Sequence, residues 1–394
     1  MHERRDKVEF IKRFMNFCKN CILPDTRPGI EIFEDGVCNA CKYSRRKRGE
    51  IDWVEREQEF KELVDKVKKK KARYDCLIPV SGGKDSHWQT LKCLEYGLHP
   101  LTATWKPPIR TKLGIANLEN LINLGVDHID FTINPDVDRR FTLMSMKRDG
   151  TPGVPMHMAI YNISLTMAEA LDIPLVVWGE NSADEYGSVN DKHVGKLASE
   201  KWLETFNTRG TSANDWLDMG LTRDELTPYF GPVKSKGDVV NFFLGYYFPW
   251  DPETSLRAAK ERGFKENDDG ALMGYYNYAD LDDNLLAVHH WLKWYKFGIT
   301  RSFDNLSLEI RAGRLSREEA IAALRSLGDE TPIGAIQEFC EYVQISVKEF
   351  YEIAEKFRNR DIWREINGQW RIPSFLVDDW SWHENKAEQT TAKV

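Results

Sequence analysis

Between residues 74 and 190, short apolar runs alternate with helical patterns, and this constrains the fold more than any other feature of the chain. The runs are YDCLIPV, PLTATW, HIDFTI and IPLVVWG. Between them, residues 86–96, 113–124, 136–148 and 156–171 place apolar side chains at helical spacing. Strand and helix in alternation predict a parallel sheet covered on both faces, an α/β doubly wound arrangement. Pro79 sits inside the first run, where it removes a ladder donor. It lies near the carboxyl end of that run, where pairing is ending.

The flanking segments have different characters. Residues 52–72 (DWVEREQEFKELVDKVKKKKA) read as an amphipathic helix with Trp53, Phe60, Leu63, Val64 and Val67 on one face. Its closing lysine run reads as a solvated helix end near the negative pole of the macrodipole. Residues 205–240 are polar and punctuated by Gly and Pro, as in an irregular insertion. From 251 onward helices dominate: Leu281, Leu285, Val288, Leu292 and Tyr295 form one stripe, and Ser316 with Glu319 forms a capping box. The expected organisation is a cysteine-paired module at 1–50, a linker helix at 51–73 and the doubly wound α/β domain at 74–200. An irregular insertion at 201–250, a mainly helical domain at 251–383 and a disordered tail at 384–394 follow.

A zinc-ribbon expectation for the first module rests on spacing. Four of the seven cysteines form Cys18-x2-Cys21 and Cys38-x2-Cys41. Each pair can chelate from a tight turn, and two pairs complete a tetrahedron. Four thiolates leave no vacancy for water, so the expected Zn2+ is structural rather than catalytic. An iron–sulfur cluster is the rival ligand.

The chemistry is expected at Ser81-Gly82-Gly83-Lys84-Asp85-Ser86, which follows the first strand and opens a helix. Such a turn offers free backbone N–H groups to an anion. Its glycines permit close approach of phosphate, Ser81 and Ser86 donate from hydroxyls, and Lys84 adds charge compensation. Asp85 would repel phosphate unless it holds Mg2+, so the string points to a metal-bridged polyphosphate. The spacing fits neither G-x4-G-K-[ST] nor G-x-G-x-x-G. Gly179-Glu180-Asn181 ends the fourth strand-like run, where open parallel sheets bind ligands. Thr104 and Trp105, after the second, are candidates for the adenine side, although Trp105 reads equally as a core aromatic. His157, Asn162 and Tyr186 are weaker substrate candidates, and Arg301 and Arg311 could pair with phosphate or a sugar carboxylate. Structural hydrogen bonds and helix-surface ion pairs are the plain alternatives for these five.

SGGKDS resembles the PP-loop of the ATP pyrophosphatase superfamily. The wider string of CILPDTRPGIEIFEDGVCNAC, PVSGGKDS, LGVDHIDFTINP, WGENSADEYG and LEIRAGRLSREEA resembles the N-acetyl sugar amidotransferase family of bacterial surface-polysaccharide pathways, of the O-antigen, pseudaminic and legionaminic acid type. The likeness runs from about residue 17 to 360. It implies a five-stranded doubly wound sheet and AMP transfer from ATP to an acetamido oxygen, followed by attack of ammonia to give an acetamidino group. It also implies that Glu180 and Asn181 face Mg2+ and the phosphates.

No cysteine carries the context of an activated glutaminase nucleophile, so ammonia is expected from a separate glutaminase subunit. A tRNA thiolase of the same superfamily and a non-catalytic ATP-binding scaffold are the rival functions. The net charge of −7 over 394 residues argues against a nucleic-acid partner. With 30% charged residues, no long apolar run and a charged stretch at 1–12, a cytoplasmic protein without a membrane partner is expected.

Overall fold

The computed structural model describes residues 14–188, 195–232, 239–328 and 330–380. The chain opens with the cysteine loops and then α1 (Asn39–Gly49) and α2 (Trp53–Lys68). The α/β core follows as β1 (Cys76–Pro79), α3 (Lys84–Glu95), β2 (Pro100–Trp105), α4 (Lys112–Ile122), β3 (Asp127–Phe131), α5 (Pro135–Asp149), α6 (Gly153–Ala170) and β4 (Leu175–Trp178). Next come α7 (Ser182–Tyr186), α8 (Glu200–Phe206), β5 (Val240–Phe243) and α9 (Pro252–Lys260). The remainder is α10 (Leu285–Phe297), α11 (Arg301–Ala312), α12 (Arg317–Leu327), α13 (Ile333–Val343), α14 (Val347–Glu355) and a hairpin of β6 (Arg364–Ile366) and β7 (Gln369–Arg371).

The sheet has five parallel strands in the order β3-β2-β1-β4-β5. Its two-residue period is visible in the cores. Cys76, Ile78, Leu175 and Val177 pack on one face with α2, α3 and α4, while Leu77, Leu101, Ala103 and Val176 pack on the other with Ala168 of α6. Burial on both faces explains why these strands read as continuous apolar runs. Pro79 is the last residue of β1, opposite Ala103, so its missing N–H interrupts little. The strand order reverses between β1 and β4, and an open sheet leaves a crevice at the carboxyl ends of such strands.

Two expectations about organisation change. The 201–250 segment is not only an irregular insertion, because it delivers β5, which completes the sheet. The cysteine module is also not an independent unit. Cys18, Cys21, Ile22, Cys38 and Cys41 share one core with Phe303 and Leu306 of α11 and with Trp363, Phe375 and Trp380. The expected tail at 384–394 and residues 1–13 lie outside the described residues. The Ser316–Glu319 capping box is present in both directions, with bonds of 3.1 and 2.7 Å. Among the described residues, no helix is long and apolar enough to cross a membrane.

Candidate active site

The SGGKDS turn is held by backbone geometry before any side chain contributes. Gly82 has φ of +88°, and a Cβ there would lie 2.6 Å from the Leu118 backbone nitrogen in α4. Only glycine lets the strand turn this sharply beneath that helix. Gly83 caps α3 with extended backbone and no side-chain cap bond, so the helix opens without a side-chain acceptor there. Ser86 Oγ accepts from Ser81 N at 3.1 Å, and Ser81 Oγ accepts from Gly83 N at 3.3 Å. Thr104 Oγ1 donates to Val80 O at 2.5 Å, tying the end of β2 to the turn.

Asp85 accepts from Trp250 Nε1 at 2.8 Å and from the buried Lys84 ammonium. Glu180, beyond β4, shares this end of the sheet. Burial pushes its carboxyl up to about 7; the Asp85 carboxylate adds to that and Lys84 opposes it. A buried carboxyl whose charge is disfavoured by a neighbouring carboxylate suits a cation beside it.

These groups open onto a cavity of about 410 Å³. One wall is the strand-end chemistry: Ser81, Lys84, Asp85, Thr104, Gly179 and Glu180. The facing wall comes from the C-terminal region, through Tyr276, Tyr278, Asp280, Asp282, Arg301 and Asn305. An ion-pair chain stands behind it. Arg301 Nε lies 3.2 Å from Asp280 Oδ2 and its Nη1 lies 3.7 Å from Asp304; Arg27 Nε of the cysteine module pairs with Asp304 at 2.6 Å. Burial alone would raise the Asp280 carboxyl, but Arg301 and then His290 hold it well below the usual range. For Asp282 burial prevails and pushes the carboxyl up to about 6, with Arg110 opposing it only weakly.

The four N-terminal cysteines form a second constellation. Their sulfurs all lie within 4.8 Å of one another, with Cys18–Cys41 at 3.9 Å and Cys21–Cys38 at 3.8 Å. A tetrahedron with metal–sulfur bonds of about 2.3 Å has edges of about 3.8 Å, so the separations fit a tetrahedral ion. Backbone N–H groups of Asn20, Cys21 and Cys38 point at Cys18 Sγ at 3.4, 3.4 and 3.2 Å. Such bonds favour thiolates, and Arg317 Nε fixes the first turn by donating to Cys21 O at 3.2 Å. The donor set therefore fits Zn2+ in a closed site.

The cavity gathers Ser81, Gly83, Lys84, Asp85, Ser86, Thr104, Trp105, Gly179, Glu180, His157, Tyr186 and Arg301. His157 Nδ1 donates to Gly153 O at 2.7 Å, and burial lowers its pKa to about 4, so the ring is neutral at neutral pH. Gly82 shapes the turn from behind. Three candidates lie elsewhere. Asn181 does not line the cavity: its Oδ1 caps α7 through Ala183 N at 3.0 Å and accepts from Trp202 Nε1 at 3.0 Å. Asn162 donates to Tyr229 O at 2.6 Å inside the core. Arg311 is buried beside the cysteine cluster and donates to Glu185 O at 3.0 Å. The polar types suited these positions as caps and braces.

Sequence reading missed Trp250, Tyr276, Tyr278, Asp280, Asp282, Asp283 and Asn305. The string DLDDN was the available signal, since three acids around an apolar residue are costly unless that surface does something. Among the described residues no cysteine lines the cavity.

Residues 272–376 match the model of the family described as LPS biosynthesis protein WbpG-like, C-terminal domain. That match spans the acidic wall and Arg301. No curated protein matches the chain. Among solved structures, a predicted subunit of tRNA methyltransferase from Methanocaldococcus jannaschii is 19% identical over 33% of this chain and 63% of its own, with a TM-score of 0.24. NH3-dependent NAD synthetase from Campylobacter jejuni is 14% identical over 45% of this chain and 92% of its own, with a TM-score of 0.28. NMN synthetase from Francisella tularensis is 14% identical over 54% of this chain and 93% of its own, with a TM-score of 0.25. The chain thus spans 63% of the first of these structures.

Proposed function

We propose that the protein is an ATP-dependent amidotransferase that adenylates the acetamido oxygen of an N-acetyl sugar and replaces it with nitrogen from ammonia. The carrying observation is the shared cavity. A phosphate-accepting turn at the sheet's switch point faces a wall drawn from the segment that matches a surface-polysaccharide biosynthesis family. The resemblance of the separate motifs to N-acetyl sugar amidotransferases supports the same reaction.

Each group then has a task. The open N-terminus of α3, with Ser81, Ser86 and Lys84, receives the polyphosphate. Asp85 and Glu180 would hold Mg2+, which offsets the charge of the leaving pyrophosphate. Thr104 and Trp105 border the adenine side. Arg301 and the neutral His157 face the acceptor. An amide oxygen is a poor leaving group, and transfer of AMP from ATP to that oxygen, with release of pyrophosphate, makes it a good one. The absence of a cysteine from the lining supports a separate glutaminase as the ammonia source over a thiolase chemistry on this chain.

The test incubates the protein with ATP, Mg2+, an ammonium salt and a panel of nucleotide-linked N-acetyl sugars. Acceptor-dependent ATP–pyrophosphate exchange and a product about one mass unit lighter than the acceptor are expected. Glutamine alone should give no turnover, whereas glutamine with a glutaminase of the same pathway should. Pyrophosphate exchange with no sugar in the panel, or with tRNA instead, would refute the reading.

A further inference from the structure

A small side pocket opens off the main cavity beneath its acidic wall. It offers about 10 Å³ to the centre of a water-sized molecule, at the lower bound of what one such molecule needs. Trp105, Met156, Asp283 and Leu286 line both spaces; Thr142 and His289 close the far side. Apart from Thr142 and the His289 ring, which burial keeps neutral and whose Nδ1 bonds Thr151 Oγ1 at 2.6 Å, the lining is apolar, so the charge in the pocket is set by Asp283.

Asp283 is 1% exposed. Its Oδ1 accepts from Leu285 N at 2.9 Å, but its Oδ2 has no hydrogen-bond partner. Among the described residues no cation pairs with it, and the charged groups acting on it, Asp282, Asp138 and Glu338, are acids. A buried carboxyl oxygen without a partner costs stability that a native structure seldom leaves unused. What would satisfy it is a donor of one heavy atom, carrying positive charge and no lone pair to be repelled. Among nitrogen compounds, ammonium has those properties.

We infer that the side pocket is the nitrogen site, where Asp283 receives ammonium and takes a proton from it, releasing ammonia toward the adenylated carbon. This rests on the proposed amidotransferase reaction and names its base. Burial and the neighbouring acids push the Asp283 carboxyl well above the ordinary range, so its ionised form depends on a cation at Oδ2 and, once ammonium supplies that cation, readily takes a proton from it. The proton moves from nitrogen to Oδ2, leaving a lone pair. That pair forms the C–N bond; the C–O bond breaks and its electrons leave on AMP. A second proton passes from the nitrogen to solvent as the amidinium forms, and Asp283 returns its own to solvent afterwards.

The experiment compares ammonium with hydroxylamine, a nucleophile already neutral at neutral pH, at constant potassium concentration. For D283N the ratio of ammonium-supported to hydroxylamine-supported turnover should fall at least about tenfold below that of the wild type. Acceptor-dependent pyrophosphate exchange, which needs no nitrogen, reads the adenylation step separately. An unchanged ratio would overturn the assignment and leave a pocket for water or a potassium ion. Should D283N fail to fold, D283E keeps the charge but displaces it, and the same ratio must fall. A wild type without acceptor-dependent exchange would instead defeat the amidotransferase reading, and this assignment with it.

Discussion

At Gly82 one residue decides whether the turn exists. Its positive φ costs an alanine on the order of 1 kcal/mol, and the Cβ contact at 2.6 Å to Leu118 N must also be relieved by moving α4 or the turn. G82A is therefore expected to lose a few kcal/mol of stability and nearly all ATP-dependent exchange, measurable by denaturant melts and the exchange assay. Gly83 differs: its φ is negative and its nearest neighbour would be Ser81 Oγ at 3.3 Å. G83A should fold with near wild-type stability and show its defect in the KM for ATP. Asp184 gives a pH-dependent prediction. It is buried, its Oδ1 has no partner, and burial followed by Glu185 pushes its pKa up to about 7. The sign follows from linkage. Below the ordinary carboxylate pKa both folded and unfolded states hold the proton, and stability is unaffected. Between there and about 7 the unfolded state releases it first, so native stability falls as pH rises. D184N should remove that loss, gaining roughly 1–3 kcal/mol over wild type at pH 8 and little at pH 4. Equal gains at both pH values would show that Asp184 does not titrate in this way.

The elements differ in how far the sequence announces them. The SGGKDS turn was legible because all its chemistry is contiguous, and β1, β2 and β4 were legible because burial on both faces leaves unbroken apolar runs such as LVVW, whereas β3, a half-exposed edge strand, was legible only from Ile129 and Phe131. β5 was not, because VNFF emerges from a polar segment and carries Asn241 within the strand and an exposed Val240 at its start, so no unbroken apolar run marks it. The acidic wall was hidden for another reason. Asp280 and Asp282 lie on a non-helical stretch whose meaning depends on what it folds against, and no local period encodes that. Asn181, Asn162 and Arg311 show the converse: a polar residue near a site can be a cap or a brace as readily as a ligand. The cysteine turns were read from spacing, and their sulfur geometry carries a prediction. C38S should lower bound zinc from one equivalent to well below one, measured by metal analysis. It should also cost several kcal/mol of stability, because the sulfurs are part of the core shared with α11. Iron with sulfide in freshly purified protein would overturn the zinc assignment.

On the scale of the whole molecule, the sheet and the C-terminal region meet around the cavity, and Arg27 ties the cysteine module to the residues behind its wall. Its guanidinium donates to Asp304 at 2.6 Å and to Tyr186 O at 2.9 Å. Asp304 is fully buried and in turn faces Arg301, which lines the cavity, at 3.7 Å and Lys293 at 3.5 Å. Removing one partner of a buried pair usually costs about 3–5 kcal/mol, since the other charge is stranded. Here Arg301 and Lys293 remain to face Asp304, so R27M should cost less, about 1–3 kcal/mol. The more telling effect is functional. Without Arg27, Asp304 draws Arg301 more strongly, away from Asp280 and the cavity. On the proposed function, the KM for the sugar acceptor should then rise several-fold while the KM for ATP, proposed to bind across the cavity at the SGGKDS turn, changes little. Removing zinc with a chelator should produce the same asymmetry before the protein unfolds, because the module's loops carry Arg27. Equal changes in both KM values for R27M would mean that the ion-pair chain serves stability alone.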